Sequence, residues 1–110
     1  MEFNLAEKLA ILKAIDEVIL VDGTVYSGEL NLLNQFMRML KFDKNLLQEA
    51  RDVDSKEALL ILGAMTESKK KALSLILTEM ANADGKVDNE EIHLILNIFK
   101  SVGIEYEYRY

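Results

Sequence analysis

The stretch that decides the fold occurs twice. It reads Glu17-x-x-x-x-Asp22-Gly23-x-Val25-x-x-x-Glu29-x-x-Leu32, and 62 residues later Glu79-x-x-x-x-Asp84-Gly85-x-Val87-x-x-x-Glu91-x-x-Leu94, with six positions identical. Leu30 with Ile92, Leu33 with Ile95, Arg38 with Lys100 and Leu40 with Val102 extend the match in kind. Self-similarity at a fixed offset marks a duplicated supersecondary unit. Two units are too few for a solenoid, which needs stacked neighbours, so the pair is expected to face each other as a pseudo-twofold bundle sharing one core.

Working outward, Leu5, Leu9, Leu12, Ile15 and Ile19 draw one apolar stripe along a helix of about five turns. Leu30, Leu33, Met37 and Leu40 repeat that geometry, as do Leu73, Ile76, Leu77 and Met80, and again Ile92, Ile95, Leu96, Phe99 and Val102. Between these four helices, Asp43 is placed to cap a short helix through about Ala50. Asp54-Ser55-Lys56-Glu57 reads as a capping box opening another that ends near Gly63. The expected architecture is therefore all-α, a bundle of about six helices formed by residues 1–110 as a single domain, with repeat units over about 4–50 and 66–104. Strand-like alternation occurs only in the tail, 105–110, together with Ile104. A lone strand lacks a partner there, so the tail is expected to pack its tyrosines on the bundle or fray, with addition to a partner's sheet edge as the other reading.

Each repeat reads as a helix joint. Gly23 and Gly85 follow long apolar-periodic helices, where a left-handed residue closes a helix at low steric cost. Asp88 is placed to cap the last helix, Glu91 to complete its capping box, and Val87 to staple on Ile92. In the first unit Tyr26 holds the cap position and Ser27 is the available cap one residue on, so capping explains Glu91 better than Glu29. Asp22 and Asp84 lie at the negative end of a helix dipole, which calls for compensation. Either each carboxylate accepts N–H groups of its own loop, or it binds a cation together with Glu29 or Glu91.

Setting Gly85 as the sixth residue of an EF-hand loop puts Asn82, Asp84, Asp88 and Glu91 at ligand places but Met80 at the first. The first unit offers Val18, Leu20 and Tyr26, so neither loop is an EF-hand. Oxygen-only ligands suit calcium, magnesium or manganese rather than zinc or copper, with Glu17 and Glu79 as secondary candidates.

Composition narrows the function classes. The chain has 110 residues, half of them apolar and 29% charged, an ordinary globular profile. No cysteine is present, which removes disulfides, thiol catalysis and iron–sulfur clusters. Thirteen basic residues against nineteen acidic ones give a net charge of −6, the wrong sign for nucleic acid. The Lys69-Lys70-Lys71 cluster reads as a solvated helix face. No apolar stretch approaches the roughly 20 residues of a spanning helix, and Met1-Glu2 begins no secretory signal, so a cytoplasmic, non-membrane-spanning protein is expected. His93 is the sole histidine and reads as a surface residue, leaving no nucleophile–base pair; the chain is expected not to be an enzyme. Met37, Met39, Met65 and Met80 fall in apolar stripes and read as core filling.

The doubled Asp-Gly-x-Val-x-x-x-Glu, and above all Met80-Ala81-Asn82-Ala83-Asp84-Gly85-Lys86-Val87-Asp88 leading into a helix, resembles the TerB-like superfamily associated with tellurite resistance. The resemblance spans most of the chain. It implies pseudo-twofold related halves, acidic residues that bind a divalent metal, a stress-response setting, and a relative at the start of a membrane-anchored DnaJ-type co-chaperone. It implies no catalytic chemistry. The family's acidic signature falls on Asp22 and Glu29 in the first unit and on Asp84 and Glu91 in the second, while Tyr26 stands where a small polar residue is usual. A metal-independent adaptor that docks a protein partner is the alternative.

Overall fold

The computed structural model describes residues 2–21, 23, 27–83 and 89–104. Among them six helices run in order: α1 (Leu5–Leu20), α2 (Ser27–Met39), α3 (Lys44–Arg51), α4 (Ser55–Gly63), α5 (Glu67–Asn82) and α6 (Asn89–Val102). The described residues contain no strand, so the chain is the all-α bundle that its periodicity predicts.

The 62-residue offset reappears in the helix boundaries. Adding it to the ends of α1 gives both ends of α5, and adding it to the first residue of α2 gives the first residue of α6. The starts correspond as well. Asn4 caps α1 by accepting from the Glu7 amide, while Thr66 caps α5 by accepting from the Lys69 amide. Asn4 and Glu7 form a reciprocal capping box, in which Glu7 Oε1 accepts from the Asn4 amide at 2.9 Å.

The ends correspond too. Ile104 N donates to Phe99 O across left-handed Gly103 (φ 78°), and Phe42 N donates to Met37 O across left-handed Lys41 (φ 58°). Both are the six-to-one closure of a Schellman motif. The closure of α6 uses glycine, which adopts positive φ without a Cβ penalty, and that of α2 uses lysine.

Buried positions match as well. Glu29, Leu33 and Met37 of α2 correspond to Glu91, Ile95 and Phe99 of α6; Ile11, Ala14, Ile15 and Val18 of α1 correspond to Leu73, Ile76, Leu77 and Met80 of α5, and every one is buried. The units meet at counterpart residues: Lys69 Nζ lies 2.7 Å from Glu7 Oε1, and these two positions are 62 apart. A contact between counterpart residues is what a twofold relation between the two units would place at its axis.

The central element is α1, which packs against α3, α4, α5 and α6, while α4 also meets α6. Being surrounded changes its buried set. Leu5 is 58% exposed, against the expected stripe, while Ile11 and Val18, outside that stripe, are fully buried. α2 packs chiefly on α5, and Leu30, expected inside, is 44% exposed. Met39, read as core filling, is also exposed, unlike Met37, Met65 and Met80.

The linking pair α3–α4 is fixed to α1 by polar contacts at its edge. Arg51 Nη2 lies 3.1 Å from Asp16 Oδ1, and Lys13 Nζ donates to Arg51 O. Asp43 caps α3, and Asp54 caps α4 by accepting from the Lys56 and Glu57 amides.

Candidate functional site

Glu29 and Glu91 occupy the first turns of α2 and α6, and both are buried, at 1% and 3% exposure. A carboxylate in the first turn meets the positive end of the helix dipole, which favours its charged form. Burial opposes it, because removing an ionised carboxylate from water costs several kcal/mol unless other groups compensate. Glu29 and Glu91 are thus carboxylates buried at equivalent places, the first turns of α2 and α6. Sequence reasoning found capping a better account of Glu91 than of Glu29 and kept both as candidate cation ligands; the structure buries them alike.

Asp22 and Asp84, the other two members of the signature, lie outside the described residues, as do Tyr26, Gly85, Val87 and Asp88 of the joints and the tail 105–110. Gly23 is described. Its φ of 76° and the bond from its amide to Leu20 O show the helix stop that its position predicts. Among the described residues no three aspartate, glutamate, histidine or cysteine side chains converge as a metal requires. Glu29 and Glu91 fit a hard cation by donor type, and further oxygens would have to come from the joints themselves.

The secondary candidates part company. Glu17 is half-buried and accepts from the Ser55 hydroxyl at 2.8 Å, whereas Glu79 is exposed. His93 is exposed, as its reading predicts. The lysine cluster is not one solvated face. Lys69 pairs with Glu7, Lys70 lies 3.9 Å from Glu67 with little of its side chain exposed, and Lys71 faces solvent.

The Glu7 carboxyl is shifted by opposing causes. Burial raises it, while the Lys69 hydrogen bond, the Asn4 amide and the Lys69 charge lower it, leaving it below its ordinary value. Sequence reasoning missed this pair, although the Asn4-x-x-Glu7 capping-box spacing and the 62-residue offset from Glu7 to Lys69 were both available as signals.

A cleft of about 90 Å³ opens where α1, α4 and α6 meet, with Glu17 and Ser55 on its rim. No described helix is long and apolar enough to cross a membrane.

Neither a family model nor a curated protein matches the chain. Among solved structures it is similar to a crystal structure of a protein of unknown function from Porphyromonas gingivalis W83, at 24% identity. That likeness covers 97% of this chain and 90% of the other, with a TM-score of 0.83. At that identity the likeness concerns the fold, and what it establishes is that this six-helix arrangement is one a natural protein adopts.

Proposed function

We propose that the protein is a non-enzymatic acidic module that binds a divalent cation (calcium, magnesium or manganese) at its two helix joints, in the cytoplasmic stress-response setting implied by its resemblance to TerB-like domains. The observation that carries this reading is the matched burial of Glu29 and Glu91, each following Asp22 or Asp84 in the repeated motif. Carboxylates kept at equivalent buried positions, each following an aspartate of the same repeated sequence motif, supply the hard oxygen donors that such cations take.

The test is thermal unfolding with and without metal. A ligand that binds only the folded state at about a hundred times its Kd adds about 2.7 kcal/mol, which corresponds to a rise of about 10 °C for a domain of this size. Calcium or manganese is expected to produce such a rise, and Asp84→Asn to remove it. An unchanged melting temperature with both metals contradicts the reading.

A metal-independent adaptor is the second reading. It is favoured by the cleft between α1, α4 and α6 and by the exposed apolar side chains Leu60 and Met39, 75% and 74% exposed.

A further inference from the structure

The cleft between α1, α4 and α6 has a floor that includes Ala14, Ala58, Leu62 and Ile98, all buried and aliphatic. Two of the four are alanines, and their small side chains leave the depth. On the rim the Ser55 hydroxyl donates to Glu17 Oε1 at 2.8 Å, which holds the carboxylate over one side of the opening. Asn97 and Ser101, both exposed, add neutral polar groups. The lining contains no lysine, arginine or histidine.

Size and chemistry restrict the occupant. A whole small-molecule ligand takes a pocket of about 300 Å³ or more, and this cleft holds about 90 Å³, room for one side chain. An apolar floor beneath a single carboxylate complements an aliphatic stem that ends in a cation. Between the two cationic side chains, the planar fork of arginine is matched by a carboxylate that presents both oxygens, whereas lysine brings a compact point charge. Glu17 already accepts from Ser55 through Oε1, so the rim suits the point charge. The net charge of −6 adds attraction at longer range.

We infer that this cleft receives a lysine side chain from a basic segment of a partner protein. The inference rests on the adaptor reading and is independent of cation binding at the joints.

The experiment is an NMR titration of the whole chain with a short, end-capped alanine–lysine peptide, run beside versions carrying norleucine or Nε-acetyl-lysine in place of lysine. The lysine peptide is expected to shift the amides of Glu17, Ser55, Ala58 and Asn97 as a cluster. Glu17→Gln, and each uncharged peptide, should weaken binding by about fivefold, the scale of a partly exposed ion pair. Asn97→Trp, at an exposed rim position that spares the core, should cover the cleft and abolish the clustered shifts. Shifts spread over the acidic surface and insensitive to Asn97→Trp would overturn the inference. Equal binding of the norleucine peptide at the same cluster would overturn the lysine assignment while leaving the adaptor reading in place. Silence of the cleft toward all three peptides would remove both the inference and the cleft as the adaptor's docking surface.

Discussion

At the scale of the residue, Lys41 and Gly103 close equivalent helices with the same left-handed turn, yet only one is the residue that this backbone favours. A β-carbon in that conformation costs about 1–2 kcal/mol, partly offset by the greater chain entropy that glycine loses on folding. Lys41→Gly is therefore expected to stabilise the protein by about 1 kcal/mol, and Gly103→Ala to destabilise it by a similar amount, both read from urea midpoints. Glu7 makes a second residue-scale prediction. Its carboxyl is lowered on folding, burial being outweighed by Lys69 and the Asn4 amide. The stability it contributes is thus fully present above its unfolded value and is lost as pH falls through its folded one. Lys69→Met should cost about 1–3 kcal/mol at neutral pH, the scale of a hydrogen bond to a charged group, and should flatten the acid limb of the stability profile. An unaltered acid limb would show that the pair does not couple the two units.

At the scale of the element, burial separates neighbouring leucines of α4. Leu62 is fully buried while Leu60 is 75% exposed. Leu62→Ala is expected to cost about 2–5 kcal/mol through lost burial and the cavity left behind, whereas Leu60→Ala should stay within about 0.5 kcal/mol; thermal denaturation compares the two. The helices were legible to different degrees for a physical reason. In α5 all four stripe residues are buried, because that helix offers the core a single face. In α1 the expected stripe is wrong at Leu5 and incomplete at Ile11 and Val18, because packing on four other helices buries more than one face. The end of α2 was illegible: no glycine stands at Lys41 to announce the turn, and only its alignment with Gly103 reveals it.

For the whole molecule, two helix pairs with matching caps, closures and buried positions are joined by α3 and α4 and meet at Glu7 and Lys69. The duplication was legible because six identities lie at one offset, and most of the bundle follows from it. The candidate site was legible only as a set of residue types. That Glu29 and Glu91 are both buried depends on helices brought together through space, which no local spacing encodes. The claim that these matched carboxylates serve a cation is tested most directly by a crystal structure of the chain soaked in manganese, using the metal's anomalous signal. The account predicts a peak within about 2.6 Å of carboxylate oxygens at a joint, with Glu29 or Glu91 among the ligands. Joints whose carboxylates bond only to the chain's own amides, with no peak beside them, would contradict it.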